Sequence, residues 1–348
     1  MKSNDESYIK NEELLAVPDV TNEEFAAYLN ECFDGLKSVY VLDTAIELNV
    51  FDKTQNIRAC DELCDELGIE RMTGKLLLDC LANMGLLYSD DGSYVNTPIA
   101  EDFLCTDSPM KQFRKIGFIF RNLEHWQNLT GILKDGQPIQ KVGEIFKPEK
   151  LPMMLESNLG GSVGLVLEML EEKIDLDSIE SVMGIGAGAL QYLLGFTHEY
   201  PGIKGAVIER EAFLQPGTEM IEKYGNESVE MVVGDYKRSL EGTYDLVFTS
   251  LTHAALETDI AESISAGLNP GGYFVVRRNL PEVSMDPFRD LDINLTRLEI
   301  IPKGVLHHHG DEHAVEYIEN LGKTGVHLID RFDFLEGSEV LIFRKDRI

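Results

Sequence analysis

The residues able to do chemistry gather in the second half of this chain. The stretch "SVMGIGAGALQYLLGF", residues 181–196, passes from a short apolar run through three glycines in five residues into a helix-like pattern. A strand that turns into a helix in this way lets its backbone approach a nucleotide-like ligand, with Gly186 and Gly188 at the bend and free helix N–H groups just beyond it. Glu209 follows Gly186 by 23 residues, at the end of the next apolar run, "KGAVIE", where a carboxylate can accept hydrogen bonds from both ribose hydroxyls. Asp235 and Tyr236 close a third run, "VEMVVGDY", where an adenine could rest, and His253 closes a fourth, "YDLVFTSLTH". An unperturbed imidazole titrates at about 6.5, which suits a general base; the bland alternative is an inert, hydrogen-bonded histidine at a strand end. The glycine turn with Glu209 fits either NAD or a sulfonium nucleoside, and the third strand end favours the second.

A second cluster, "LHHHGDEH", brings His307, His308, His309 and His313 together. His309 and His313 have i,i+4 spacing if a helix begins early enough; otherwise Asp311 is the N-cap of "EHAVEYIENL". A solvated loop, a lid over a substrate pocket and a metal site are all open readings, and no residue is assigned as a metal ligand. The cysteines, Cys32, Cys60, Cys64, Cys80 and Cys105, are odd in number and scattered through apolar helical patterns, which implies reduced, mostly buried thiols.

The elements that must position these groups follow from periodicity. From residue 180 onward strands and helices alternate, which predicts a parallel sheet covered by helices. The helix "EAFLQPGTEMIEKYG" is expected to break at Pro216-Gly217, and the last two strands, in "VHLIDRFDFLEGSEVLIFRK", are expected to make an antiparallel edge. In an open sheet of this kind ligands sit beyond the carboxyl ends of the strands. Residues 111–175 read as connecting helices that carry the single Trp126 and a Met-rich apolar side. Residues 20–110 read as three helices, the third with Thr73 as a possible N-cap, followed by a hairpin around Asp91-Gly92; together these make a winged helix.

Charge excludes the usual winged-helix partner. The 348 residues carry 61 acidic against 31 basic side chains, a net of −30. Residues 1–110 hold seven Lys/Arg against 23 Asp/Glu, and the third helix offers only Arg71 and Lys75. DNA binding needs the opposite footprint. The apolar helices are expected to bury one another or a second subunit. No apolar run approaches the roughly 20 residues of a membrane span, and the polar, acidic start is unlike a signal peptide, so a cytoplasmic protein with no membrane partner is expected.

The segments "SVYVLDTAIELNVFD", "LLLDCLANMGLLYSDDGSYVNTPIAEDFL", "HWQNLTGILKDGQP", "YPGIKGAVIERE", "VVGDY", "YDLVFTSLTHAALETD" and "AGLNPGGYFVV" resemble, in order, those of the S-adenosylmethionine-dependent O-methyltransferases of the plant caffeate and bacterial polyketide/hydroxyindole type. The resemblance spans residues 25–345. It implies a winged-helix dimerisation domain over 1–110, a helical connector lining the substrate pocket over 111–175 and a Rossmann-like class I methyltransferase domain over 176–348. It further implies a homodimer with swapped contacts, S-adenosyl-L-methionine as cofactor and a small, mostly aromatic hydroxyl compound as substrate. By position, Gly186 and Gly188 match the glycine turn, Glu209 the ribose-binding acid, Asp235 and Tyr236 the adenine-side pair, and His253 the catalytic histidine. Two departures stand out. The family's turn reads acid-x-Gly-x-Gly-x-Gly, whereas here Gly184 replaces the acid and Leu190, which is expected to crowd the helix start, replaces the last glycine. The missing acid removes a charge-assisted hydrogen bond of roughly 1.5–3 kcal/mol. Ala254 and Ala255 stand where many members have Asp-Trp. These departures leave two rivals: a relative that uses the pocket for other chemistry (hydroxylation, decarboxylation or rearrangement), and a non-catalytic dimeric binding protein.

Overall fold

The computed structural model describes residues 19–135, 147–252, 254, 257–279, 288, 291, 311–335 and 337–347. The chain divides into two compact units, Met1–Lys111 and Gln112–Ile348.

In the first unit helix α1 spans Asn22–Glu47. Thr21 caps it in a reciprocal box: Glu24 N–H donates to Thr21 Oγ1 (3.3 Å), and Thr21 N–H donates to Glu24 Oε2 (2.8 Å). The helix reaches the unit's core only near its end, where Ala45 is buried. Residues 22–37 are exposed on every side, although they include Phe25, Tyr28, Leu29, Phe33 and Leu36. A short helix α2 (Val50–Lys53) follows a left-handed Asn49. Strand β1 (Arg58–Ala59) and helix α3 (Cys60–Leu67) come next, and α3 ends on left-handed Gly68. Helix α4 covers Arg71–Asn83. Its cap is Glu70, which accepts from the N–H groups of Met72 and Thr73. Thr73 therefore lies inside the first turn and is not the cap, because a carboxylate one turn earlier reaches the same N–H groups. Strands β2 (Leu87–Asp90) and β3 (Ser93–Asn96) pair antiparallel around Asp91 and Gly92, both at positive φ as a two-residue hairpin requires, and β1 adds to β3. Helix α5 (Pro98–Leu104) completes the unit. Both α4 cations are answered locally: Arg71 by Asp61 and Asp65, and Lys75 by Asp79. All five cysteines are free thiols; Cys64 and Cys105 are buried, but Cys32 and Cys80 are exposed, so burial of the thiols is less general than the apolar patterns suggest. Burial pushes Cys105 up to about 12.

The second unit begins with helices α6 (Phe113–Trp126), α7 (Leu129–Asp135), α8 (Leu151–Glu156) and α9 (Ser162–Lys173). Its sheet contains β4 (Ser181–Ile185), β5 (Lys204–Glu209), β6 (Val229–Val233), β7 (Tyr244–Ser250), β8 (Leu268–Asn279), β9 (Val326–Asp333) and β10 (Ser338–Lys345), in the order β6-β5-β4-β7-β8-β10-β9. Helices α10 (Leu190–Glu199), α11 (Leu214–Lys223), α12 (Ala261–Gly267) and α13 (Asp311–Lys323) connect them. The alternation read from residue 180 gives a doubly wound sheet, parallel from β6 to β8. One face packs against α9 and α10 through Val166, Leu193, Phe196, Val207, Phe248 and Val275. The other packs against α12 and α13 through Met183, Ile208, Val247, Ile264, Tyr317 and Phe343. Each of the larger side chains contributes roughly 1.5–3 kcal/mol by burial.

One expectation fails for a local reason. Pro216 and Gly217 do not break α11. Pro216 falls in the first turn, where its missing N–H has no helical partner to lose, and Gly217 lets the helix approach β6, since a Cβ there would lie 2.6 Å from Met231 Sδ. The last two strands do make the antiparallel edge expected of them, with β9 outermost and β10 running antiparallel between it and β8. Burial explains the order. Strand β10 is buried at six consecutive positions, whereas β9 alternates buried and exposed residues as an edge does.

The insertion of β10 carries a buried ion cluster. Arg278 and Glu339 are each 2% exposed and lie 2.5 Å apart, and Arg331 Nε donates to the other carboxylate oxygen at 2.7 Å. Replacing the carboxylate leaves the buried Arg278 guanidinium without the counter-charge it faces. Glu339→Gln is expected to destabilise the unit by about 3–5 kcal/mol. Urea unfolding followed by circular dichroism checks this, and a loss below about 1 kcal/mol would show that water already solvates the cluster.

Candidate active site

The chain runs from β4 outward to β5 and β6, then returns to β7 on the other side of β4. The crevice beyond the tips of β4 and β7 is therefore the topological switch point, where open α/β sheets bind ligands. Asp245 sets the register of this strand pair from the opposite end: its Oδ2 accepts from the N–H groups of Glu180 and Ser181 and from Ser181 Oγ. Burial raises its carboxyl, but hydrogen bonds from Asn269, Glu180 and Ser181 outweigh that and hold it below the usual carboxylate range.

The glycine turn has a defined shape. Gly186 sits at φ 84°, a region that penalises any Cβ, and its N–H donates to Ile208 O at 3.0 Å. A Cβ on Gly186 would also lie 3.2 Å from Thr252 Cγ2. At Gly188 a Cβ would find, among the described residues, only Ser250 O, at 3.9 Å, so they leave the bend open on that side. Leu190 does not occupy the bend or crowd the helix start; it is fully buried in the core with Leu193 and Val166. Gly184, where the acid was expected, lies where a Cβ would come within 2.9 Å of Ala189 Cβ and 3.0 Å of Leu193 Cδ1. Helix α10 packs closely against β4 and leaves no room for a side chain at 184.

The other candidates lie on neighbouring strand tips. Glu209 is the last residue of β5; its carbonyl accepts from Gly234 N–H at 3.1 Å, which joins it to the end of β6. Its carboxylate is 17% exposed, accepts from Arg210 N–H at 2.5 Å and lies 3.6 Å from Arg210 Nε. Asp235 is exposed, accepts from Lys237 N–H at 3.1 Å and pairs with Arg238 at 3.4 Å. Tyr236 points the other way. Its ring packs against the α12–α13 core, and its hydroxyl donates to Glu257 Oε2 at 2.6 Å. Burial first, and Glu257 second, push that hydroxyl well above the usual tyrosine range. Gly186, Gly188, Glu209 and Asp235 thus lie along one row of strand ends, while Tyr236 supports the row from beneath.

His253 lies outside the described residues, but both flanks are fixed. Leu251 adopts a left-handed φ of 53° with its N–H on Arg277 O at 2.8 Å, and Ala254, fully buried, accepts from Tyr317 Oη at 3.2 Å. A left-handed non-glycine residue costs about 1–3 kcal/mol and is characteristic of functional loops. Ala255 and His307, His308 and His309 also lie outside the described residues, as does the side chain of His313; Asp311 begins α13. In the first unit Asp52, Cys105 and Asp107 bring ligand-type atoms within 4.8 Å of one another. Asp52 is already engaged by Thr106 and Asp107 by Gln55, and the raised thiol of Cys105 is a poor thiolate ligand.

Sequence reasoning missed four residues at the switch point. Thr252 covers Gly186, with its Oγ1 2.5 Å from Thr249 Oγ1. Asn158 Nδ2 donates to Gly188 O at 3.2 Å, and Tyr192 Oη donates to Asn158 Oδ1 at 3.2 Å. Arg277 Nη1 donates to Tyr192 Oη at 3.3 Å. Only Arg277 left a signal, as a cation that ends an apolar strand.

Residues 30–106 match the O-methyltransferase dimerisation domain. An uncharacterized protein of Methanocaldococcus jannaschii is 24% identical over 334 residues, covering 93% of this chain and 90% of the relative. The 3-hydroxy-5-methyl-1-naphthoate 3-O-methyltransferase of Streptomyces sahachiroi is 25% identical over 187 residues, 52% of this chain and 54% of the relative. Among solved structures, the pyocyanin biosynthetic protein PhzM superposes with a TM-score of 0.72 at 16% identity, covering 93% of this chain and 100% of that one. Human N-acetylserotonin methyltransferase in complex with S-adenosylmethionine gives 0.65 at 18%, covering 95% and 100%. The resemblance read from the sequence is thus found again: residues 30–106 match the dimerisation domain, and the chain shares the fold of solved O-methyltransferases. Among the described residues no helix is long and apolar enough to cross a membrane.

Restoring an acid at the closed position, Gly184→Asp, is expected to lower stability by about 1–3 kcal/mol without tightening ligand binding. Thermal melting checks this; an unchanged melting temperature would show that α10 can back away from β4.

Proposed function

We propose that the protein is a homodimeric S-adenosylmethionine-dependent O-methyltransferase whose acceptor is a hydroxyl group on a small aromatic compound. The observation that carries this reading is the open side of Gly188, in a row with Glu209 on the next strand tip, at the switch point of the sheet. The residues fit an adenosine. Gly186 and Gly188 let the backbone approach it, the Glu209 carboxylate accepts from its ribose hydroxyls, and Asp235 offers a further acceptor beside the base. The cofactor supplies an electrophilic methyl group on a sulfonium. The protein's part is to hold the acceptor oxygen in line with that methyl group and to take its proton. His253 is the proton acceptor in this reading, held by a segment pinned at Leu251 and Ala254. Two named relatives act on hydroxylated aromatics, a hydroxynaphthoate and acetylserotonin, which supports the substrate class.

The dimer follows from α1. A helix in water is held mainly by the packing of its apolar face, and the first sixteen residues of α1 present aromatic and aliphatic side chains that no described residue of their own unit covers. A second copy of the same surface is the cover we assign. The closed position at Gly184 favours one alternative, a fold relative that binds ligand without transferring methyl.

Calorimetric titration with S-adenosylhomocysteine separates these readings. Micromolar binding by the wild type is expected, weakened roughly tenfold to a hundredfold in Glu209→Ala; no binding at millimolar concentration overturns the cofactor assignment. His253→Ala is expected to slow methyl transfer by about a hundredfold or more while leaving that affinity intact, and full-speed transfer would remove His253 from the reaction. Sedimentation analysis is expected to show a dimer that Phe33→Glu dissociates; a wild-type monomer would refute the assignment of α1.

A further inference from the structure

Strand β8 ends in two arginines that point to opposite faces of the sheet. Arg278 meets Glu339. Arg277, only 8% exposed, meets no acid among the described residues. Its contacts are Ser338 Oγ at 3.1 Å from Nε, Tyr192 Oη at 3.3 Å from Nη1, and the Phe334 ring at 5.9 Å. All three are neutral. A guanidinium withdrawn from water with only neutral partners carries a desolvation cost that a facing anion would offset. The imbalance is local and runs against the whole chain: among the described residues the two buried arginines of β8, Arg277 and Arg278, face one buried carboxylate, Glu339, in a protein of net charge −30.

Its place in the fold gives this charge a use. Arg277 pairs with Ser250 at the tip of β7, and its carbonyl accepts from Leu251 N–H at 2.8 Å. From its guanidinium a hydrogen-bonded chain runs through Tyr192 Oη and Asn158 to Gly188 O, each step between 3.2 and 3.3 Å. The cation is therefore tied both to the segment that leads to His253 and to the glycine bend. Nε and Nη1 are held by protein, and the planar fork leaves Nη2 to meet a carboxylate oxygen.

We propose that Arg277 is the receptor for a carboxylate on a ligand bound at this switch point. This rests on the reading of the site as a methyltransferase crevice, where two molecules offer that group: the amino-acid end of the cofactor, and an aromatic acceptor that bears a carboxylate beside its hydroxyl. Arg277 acts by recognition and not by proton transfer.

Calorimetry on the dimeric wild type, Arg277→Gln and Arg277→Lys decides the matter with four probes: S-adenosylhomocysteine, 5′-methylthioadenosine (which lacks the amino-acid end), 3-hydroxybenzoate and its neutral analogue 3-hydroxybenzamide. If the cofactor supplies the carboxylate, Arg277→Gln weakens S-adenosylhomocysteine roughly tenfold to a hundredfold and leaves 5′-methylthioadenosine unchanged. If the acceptor supplies it, the wild type prefers the benzoate to the benzamide by about tenfold or more, and Arg277→Gln loses that preference. In either case Arg277→Lys keeps only the part of the effect that comes from charge, because it lacks the fork that Ser338 and Tyr192 hold. A Gln variant that alters neither comparison overturns the proposal. Should that variant not fold, a wild type that binds each carboxylate probe no more tightly than its uncharged counterpart overturns it equally. Failure of the wild type to bind either nucleoside sinks the cofactor reading instead, and the benzoate comparison still judges Arg277.

Discussion

The close approach of α10 to β4 is the constraint on which the rest of the second unit depends. Gly184 has no room for a side chain because Ala189 and Leu193 lie against its Cα, and this contact draws the helix start down onto the sheet. The turn between them is thereby short, and Gly186 must take a positive φ to make it. Leu190 can then face the core and leave the bend open at Gly188. Gly184 and Leu190 thus serve one packing arrangement, in which apolar contact joins the helix start to the sheet.

What the sequence made legible was local. Alternating apolar runs and helical stretches after residue 180 identified the doubly wound sheet, and Asp91 with Gly92 identified the hairpin, because both signals depend on neighbours in the chain. The strand-end positions of Glu209 and Asp235 were readable for the same reason. What escaped depended on distance. Whether β10 lies at an edge or inside the sheet is decided by what covers its two faces, although the unbroken apolar run of "EVLIF" beside the alternating "VHLIDRFD" already carried a hint. The cap of α4 went to Glu70 and not to Thr73 because a longer side chain reached back to the same donors. The link from Asn158 through Tyr192 to Arg277 joins residues far apart in sequence, and no spacing rule could connect them.

The charge pattern reads differently from outside and from within. The surface is strongly acidic, and the cations of α4 are neutralised by their own neighbours. Among the described residues the buried tips of β8 and β10 reverse the sign: Arg277 and Arg278 stand against the single buried carboxylate of Glu339. Low polarity makes a charge felt most strongly where water is scarce, so an excess cation among buried groups influences a bound molecule more than several acids on the surface do. The acidic exterior and the basic interior therefore act on different partners, the first on macromolecules at long range and the second on whatever enters the crevice.

The position of β10 also sets an order of events during synthesis. It is an interior strand, yet it leaves the ribosome after β9, and the Ser338 and Arg277 that meet across its pairing with β8 are 61 residues apart in the chain. Until it emerges, β8 exposes a full unpaired edge, and its two terminal arginines lack both Ser338 and Glu339. The dimerisation unit, whose contacts are all encoded earlier, has no such delay and can be folded first. A nascent chain therefore presents the apolar face of α1 while the sheet of its second unit is still incomplete.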